Sequence, residues 1–286
     1  MKESYIFSIV MAIAIIIFSA TEFSSNVFSQ NQNKDASELH PNEWPNIHAN
    51  VETNFNYPAI SPTIEENAFI HPFGVVIGNC YVGKMVFFAP TAVCRGDEGT
   101  PIKISDYANV QDGVVLHGLE TMQDGKFIDY RRYDASGERL LANNSKFTNG
   151  FSIFVGERTS LAHDSLVHGP AWIGNDTFIG MKSMVFNAKV GNNVSIGVSS
   201  TITGGVEVSD NKFVPPGSII TTQEQADALP ERFGTSYENI NKAVIHVNEQ
   251  FAEHYDETGL EKLGNQREKQ MEENMLDTGM LDGIIH

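Results

Sequence analysis

Hydrophobic residues recur at every sixth position through the middle of the chain. The first series is Ile64, Ile70, Val76, Val82, Phe88 and Cys94. The spacing slips once and continues at Ile104, Val110 and Leu116. After a long polar insertion it resumes at Val155, Leu161, Val167, Ile173, Ile179 and Val185, and then at Val190, Ile196, Ile202, Val208, Val214 and Ile220. A repeat of six matches neither the period of an α-helix nor the alternation of a single strand.

A hexapeptide repeat predicts a left-handed parallel β-helix. Each hexad supplies a short strand and a turn, three hexads close one triangular coil, and the aliphatic residue points into the prism. The predicted fold is therefore mainly β, with the β-helix over residues 58–222; a β-sandwich with coincidental spacing is the alternative. Inserted loops at 95–103 and 118–150 interrupt the repeat, and such loops are commonly functional.

The pattern changes after the last hexad to one that predicts C-terminal helices over residues 223–264. A short helix ended by Pro230 comes first. A longer helix follows, with Ser236 as a plausible N-cap, and we expect it to pack along the outside of the prism. Its apolar residues at helical spacing are Ile240, Val244, Val247 and Phe251. Residues 265–286 are expected to form an acidic tail.

The N-terminus carries an apolar run at residues 5–20. Its length suits the core of a signal peptide and is short for a membrane span. Residues 1–29 are therefore predicted to be a signal peptide, either cleaved or retained as an N-terminal membrane anchor of an exported protein. Residues 30–57 would form an N-terminal extension before the β-helix.

Composition narrows the possible partners. Asp and Glu outnumber Lys and Arg by 36 to 19, which gives a net charge of −17 and argues against binding to nucleic acid or to an anionic membrane. The chain has two cysteines, Cys80 and Cys94. The repeat phase points one of these side chains inward and the other outward, so we expect two free thiols.

Three histidines are candidate metal ligands. His117 and His168 each follow an inward residue of the repeat, so they share a hexad position and can stack on one face. His163 lies in the hexad before His168 and is therefore expected on a different face. If all three bind one ion, His163 comes from a neighbouring subunit, and a homotrimer is the simplest closed ring. The alternative is that they are exposed histidines without a ligand role.

Two segments around these histidines resemble the motif blocks of the γ-class carbonic anhydrases, particularly the archaeal prototype. They are RGDEGTPIKISDYANVQDGVVLHGLET at residues 95–121 and SLAHDSLVHGPA at residues 160–171. The resemblance implies a zinc ion, with Fe²⁺ or Co²⁺ also possible, bound by His117 and His168 of one subunit and His163 of the next. It further implies reversible hydration of carbon dioxide to bicarbonate by a metal-bound hydroxide.

The resemblance also implies roles for polar residues near the metal. Glu98 matches the glutamate that hydrogen-bonds the metal-bound water or the product, and Glu120 matches the proton-shuttle glutamate. Gln111 is similar to the residue that orients the water. Asn248 is similar to an asparagine that reaches the substrate pocket from the C-terminal helix. For Glu98, Glu120 and Asn248, an ordinary solvated surface residue is the alternative.

A second group resembles residues that support the site from behind. Asn109 matches a residue that contacts the side chains around the metal and does not bind the metal itself. Arg95, Asp97 and Asp112 match a structural network that bridges subunits, with binding of phosphate or carboxylate as an alternative role for Arg95.

The chain also departs from the archaeal prototype. The insertion after His117 is longer and carries Arg131 and Arg132 where the prototype is more acidic, which puts accessory proton transfer in doubt. His246 stands in place of a tyrosine, as a second proton acceptor or a plain helix residue.

Two other functions remain open from the sequence. In a hexapeptide-repeat acyltransferase, one histidine would act as general base and the other two would have no role. A catalytically silent γ-type scaffold subunit would have the fold without turnover. Metal content and carbon dioxide hydration separate the three possibilities.

Overall fold

A computed structural model of the protein describes residues 45–255. The chain divides into two units, Met1–His48 and Ala49–His286. The predicted signal peptide or anchor, the acidic tail, and the end of the predicted C-terminal helices lie outside the described residues. Within the described part of the chain, no helix is long and apolar enough to cross a membrane.

The strands are short and follow one another closely along the chain. In order they are β1 (Ile47–His48), β2 (Thr63–Ile64), β3 (Phe69–Ile70), β4 (Val75–Gly78), β5 (Cys80–Val82), β6 (Phe87–Phe88), β7 (Val93–Gly96), β8 (Ile102–Ile104), β9 (Asn109–Val110), β10 (Val115–His117), β11 (Met122–Gln123), β12 (Lys126–Phe127), β13 (Arg132–Tyr133), β14 (Arg139–Leu140), β15 (Ile153–Val155), β16 (Ser160–Leu161), β17 (Leu166–Ile173), β18 (Phe178–Ile179), β19 (Met184–Val190), β20 (Ser195–Ile196), β21 (Thr201–Ile202), β22 (Glu207–Val208), β23 (Phe213–Val214) and β24 (Ile219–Ile220). A 3₁₀-helix, Phe147–Asn149, lies between β14 and β15, and the α-helices are α1 (Gln223–Asp227) and α2 (Ile240–His254).

The second unit is a parallel β-helix with three faces. The first face stacks β2, β5, β8, β15, the end of β17, the end of β19, and β22. The second face stacks β3, β6, β9, β16, β18, β20 and β23. The third stacks β4, β7, β10, the start of β17, the start of β19, β21 and β24. β17 and β19 each continue around a corner of the prism and so contribute to two faces.

The residues at six-residue spacing form the core, which confirms the predicted architecture. From Val76 to Ile220 every member of the series is buried, whereas Ile64 and Ile70 are half-buried. The register aligns the members directly, so that Cys94 pairs with Leu116 and Leu116 with Val167. Burial of each such side chain contributes about 1.5–3 kcal/mol.

The prediction of two free thiols is wrong, because Cys80 and Cys94 form a disulfide. Both side chains are buried inside the prism. Counting by six identifies Val82 as the inward residue of β5, but side chains two apart in a strand share a side, so Cys80 also points inward. The disulfide joins strands on the first and third faces across the core.

The longer insertion forms a small structure of its own. It contains two antiparallel hairpins, β11–β12 and β13–β14. Arg132 is buried there, donates hydrogen bonds to Thr121 Oγ1 (2.9 Å) and Phe147 O (3.1 Å), and lies over the rings of Phe127 and Phe147. Burial lowers the pKa of Arg132 to about 10. This arginine stabilises the insertion and does not face the histidines.

The helices follow the β-helix, and the predicted N-cap of the longer one is wrong. α2 begins at Ile240 with Asn239 as N-cap, because Ser236 lies in a turn in which Thr235 Oγ1 accepts the N–H of Tyr237 (3.3 Å). α2 packs on β6 and β16, as expected of a helix on the outside of the prism. Its buried face consists of Asn241, Ile245, Asn248 and Ala252, while Val247 and Phe251 are exposed.

Candidate metal centre

His117 and His168 lie side by side on the third face. They are direct Cα partners of each other where β10 pairs with β17. Their ring centroids are 5.2 Å apart, with the ring planes at 82°. Each follows a buried core residue, so alternation along the strand turns both rings outward. The repeat thus brings together two of the three candidate ligands.

The nitrogen atoms of these two rings suit a divalent metal. His168 Nδ1 lies 3.1 Å from Gly169 O, and donating that hydrogen bond would leave Nε2 free to bind a metal. Burial and the charge of Arg95 lower the pKa of His117, against the opposing effect of Glu98, which favours the neutral ring. Within residues 45–255, His117 Nε2 is a buried atom without a hydrogen-bond partner. Neutral imidazoles are ligands for Zn²⁺, Fe²⁺ and Co²⁺ alike.

The shorter inserted loop brings carboxylates to His117. Glu98 Oε2 lies 3.2 Å from His117 Nε2 and Asp97 Oδ1 lies 3.9 Å from it, both outside hydrogen-bond geometry. A side chain on Gly99 would meet the Cα of Gly118 at 2.1 Å, so glycine is required where the two inserted loops cross. Because Gly99 follows Glu98 and Gly118 follows His117, this backbone contact holds the carboxylate beside the ring.

Arg95 completes this group, which we name the His117 cluster: His117, His168, Glu98, Asp97 and Arg95. Arg95 is the Cα partner of His117 on β7. Its Nε and Nη2 donate to Asp97 Oδ2 at 3.2 and 3.1 Å. Asp97 Oδ1 is buried without a hydrogen-bond partner among the described residues, so the arginine fixes the loop while the other oxygen faces the histidine side.

His163 lies on the second face, after β16. It is exposed, and its Nδ1 lies 3.1 Å from Asp112 Oδ2. It lines a cavity of about 350 Å³ together with Gln111, Asp112 and Asn248. Apolar side chains of β6 and α2, among them Phe87 and Val247, form the rest of the wall.

Amide side chains are held in place beside this cavity. Asn248 Nδ2 donates to Val244 O (2.9 Å), and Gln111 Nε2 donates to Asn109 Oδ1 (2.9 Å). We name His163, Asp112, Gln111, Asn109 and Asn248 the His163 cluster.

One chain does not bring the three histidines together. In the described range 45–255, no three histidine, cysteine, aspartate or glutamate side chains are grouped so that they could hold a metal. The two clusters nevertheless lie at the same level of the prism. β9 and β16 carry the His163 cluster and directly precede β10 and β17 in the chain, which carry the two other histidines.

The structure places the two remaining candidates apart from these clusters. Glu120 is half-buried in the longer insertion, just after Leu119, whose N–H donates to Gly169 O (3.4 Å). That bond ties the start of the insertion beside His168. His246 is exposed and lines a different, polar cavity with Arg158 and Asp176, so its position is that of a plain helix residue.

Sequence reasoning missed Ser160 in this region. Its Oγ accepts a hydrogen bond from Asn109 Nδ2 at 2.9 Å, and it is fully buried. A signal was present in the sequence: Ser160 and Asn109 each directly precede an inward residue of the repeat, a position that phenylalanine occupies in several other coils of this face.

Comparisons with known proteins were made against curated sequences and solved structures. The chain is 38% identical over 252 residues to a carbonic anhydrase of Methanosarcina thermophila, a match that covers 87% of this chain and 97% of that protein. It is 43% identical over 168 residues to the carboxysome assembly protein CcmM of a Nostoc species, covering 59% of this chain and 27% of that protein. No family model matches the chain.

Among solved structures, a hexapeptide transferase family protein from Anaplasma phagocytophilum aligns with a TM-score of 0.45 at 19% identity, over 67% of this chain and 93% of that one. The extent of the match to the Methanosarcina enzyme decides the family, because it runs through nearly the whole of that protein at an identity well above 30%. The chain therefore belongs to the γ-class carbonic anhydrases.

Proposed function

We propose that the protein is a metal-dependent carbonic anhydrase, which interconverts carbon dioxide and bicarbonate at a site shared between subunits of a homotrimer. The observation that carries the proposal is the pairing of His117 with His168, together with a buried His117 Nε2 that has no hydrogen-bond partner among the described residues. His163 is at the same level on another face. Rotation about a threefold axis along the prism would bring the His117 cluster of one subunit to the His163 cluster of the next.

The residues of the two clusters fit a bound Zn²⁺, Fe²⁺ or Co²⁺. Such an ion would supply Lewis acidity, which would lower the pKa of a water molecule so that hydroxide is available as the nucleophile near neutral pH. Glu98, 3.2 Å from His117 Nε2, is placed to accept a hydrogen bond or a proton beside the ligand nitrogen. Glu120, on the insertion that starts beside His168, is our candidate for passing the proton to solvent.

The cavity next to His163 suits the substrate. Carbon dioxide is apolar and small, and Val244, Val247 and Phe251 offer it an apolar wall. Gln111 and Asn248 offer amide groups on the same wall, which can orient an attacking water and the product bicarbonate. An acyl thioester would not need three imidazoles around one point.

The test is a hydration assay combined with metal analysis. Protein purified without oxygen is expected to contain about one Zn²⁺ or Fe²⁺ per subunit and to hydrate carbon dioxide in a stopped-flow assay. Chelation should abolish the activity, and addition of Zn²⁺ or Co²⁺ should restore it. Bound metal without turnover would instead support a silent scaffold subunit, and acyl transfer without metal would support an acyltransferase.

Removing the carboxylate of Glu98 should slow turnover while leaving the metal in place. Both Glu98→Ala and Glu98→Gln are expected to lower kcat by about a hundredfold, because the proton acceptor beside His117 is lost. Glu157→Gln is the matched control, since Glu157 is an exposed carboxylate whose ion pair within residues 45–255 is with Arg158. Full activity of Glu98→Gln, measured by stopped flow at equal metal content, would show that this carboxylate has no role in proton transfer.

A further inference from the structure

We infer that Ser160 is a positioning residue, which holds the side chain of Gln111 at the cavity by way of Asn109. Its effect on catalysis rests on the proposed function, whereas its effect on the geometry does not. The three side chains form a continuous chain of hydrogen bonds. Gln111 Nε2 donates to Asn109 Oδ1 and Asn109 Nδ2 donates to Ser160 Oγ, each at 2.9 Å.

The chain of hydrogen bonds starts in the interior and ends at the site. Ser160 and Asn109 are both fully buried, and Gln111 is 8% exposed. β9 and β16 set the spacing, because Ser160 and Asn109 are direct Cα partners. Gln111 lies two residues after Asn109 and lines the cavity that holds His163.

Neighbouring coils show that polar residues are not needed here for packing. The outward row of the second face, on which α2 packs, is Phe69, Phe87, Asn109, Ser160, Phe178, Ser195 and Phe213. Burying an amide and a hydroxyl is unfavourable unless each finds a partner. Asn109 and Ser160 are hydrogen-bonded to each other, and Asn109 also accepts a hydrogen bond from Gln111. These polar residues lie in the coils next to the cavity that Gln111 lines.

The mechanical consequence concerns the freedom of Gln111. A glutamine side chain has three rotatable bonds, and Asn109 restrains its far end. Asn109 is itself restrained by Ser160, and it is too deeply buried for water to replace the hydroxyl. Because Asn109 Nδ2 donates to Ser160 Oγ, the Oδ1 atom of the same amide stays turned toward Gln111 Nε2.

A double-mutant cycle tests whether Ser160 acts through Gln111. Ser160→Ala is expected to lower kcat by about five- to tenfold at unchanged metal content. In a Gln111→Ala background the same substitution should lower kcat by less than about twofold, because the side chain that it positions is gone. Equal effects of Ser160→Ala in both backgrounds would overturn the inference.

Ser195→Ala provides the matched control. Ser195 is buried in the same row, and its hydroxyl donates to Tyr237 O (3.1 Å), but it has no link to Gln111. Ser195→Ala should therefore reduce stability as Ser160→Ala does and leave kcat unchanged. An equal loss of kcat in both variants would show a merely structural role.

A crystal structure of Ser160→Ala gives a result that does not depend on activity. We expect Gln111 to occupy several conformers or to leave Asn109, while Ser195→Ala keeps Gln111 in place. An unmoved Gln111 would overturn the inference even in an active enzyme. A displaced Gln111 in a protein without hydration activity would support the inference and refute the proposed function.

Discussion

Two variants that are each inactive, His163→Ala and His168→Ala, are expected to recover about a quarter of wild-type carbon dioxide hydration when they assemble together in equal amounts. Each interface of the proposed trimer takes His117 and His168 from one subunit and His163 from the next. Every mixed trimer then contains one interface with all three imidazoles. Random assembly makes about three quarters of the trimers mixed, and one third of their sites are intact.

The measurement is coexpression with two different affinity tags, followed by stopped-flow hydration with metal analysis on all assembled trimers. Mixed trimers isolated by tandem purification lack the inactive homotrimers and should show about one third of wild-type activity. The matched control pairs His117→Ala with His168→Ala. Both of these substitutions damage the same half of the site, so no interface in any mixed trimer is complete, and no recovery is expected. Recovery in the control pair, or none in the first pair, would refute a site shared between subunits.

Removing the disulfide is expected to destabilise the protein strongly. Replacing Cys80 and Cys94 together by alanine should lower the free energy of unfolding by about 3 kcal/mol, because the cross-link closes a short loop in the unfolded chain. The two cysteines are 14 residues apart, and Cys94 is the Cα partner of Leu116, which precedes His117. Loss of the disulfide is therefore expected to loosen the packing of β10, the strand that carries His117.

Urea denaturation with and without dithiothreitol measures the effect. The reductant should destabilise the wild-type protein and leave the double alanine variant unchanged, which separates the loss of the cross-link from the loss of packing atoms. The same unfolding midpoint for the reduced and oxidised wild-type protein would show that the disulfide contributes nothing.

The core could be predicted from spacing alone, because every coil of a β-helix repeats one geometry. The same periodicity explains why His117 and His168 meet, since an equal hexad phase means an equal face. Cys80 shows the limit of counting by six. The count marks one inward residue per strand, whereas β5 points both of its end residues inward.

The contacts of the site could not be obtained from the repeat. Glu98 reaches His117 because two inserted loops cross at glycines, and loop conformation does not follow a hexad count. The face of α2 that packs on the β-helix could not be predicted from the sequence either. Helical spacing identified an apolar stripe, but the helix buries Asn241 and Asn248 because their amides find carbonyl partners at Arg158 and Val244. The pairing of Asn241 joins residues 83 apart in the sequence, which helical spacing cannot reveal.

The position of the two proposed ligands within the stack has a consequence for how the protein tolerates motion. His117 and His168 belong to the third and fourth of the seven strands that form this face of the β-helix between Val75 and Ile220. In a linear stack, opening begins at the ends, and each further coil must break another interface. Local unfolding that starts at one end must open two coils before it reaches His117, and unfolding from the other end must open three coils before it reaches His168. The outer coils therefore protect the central ones: they can fluctuate and tolerate sequence changes while the strands of His117 and His168 stay in register.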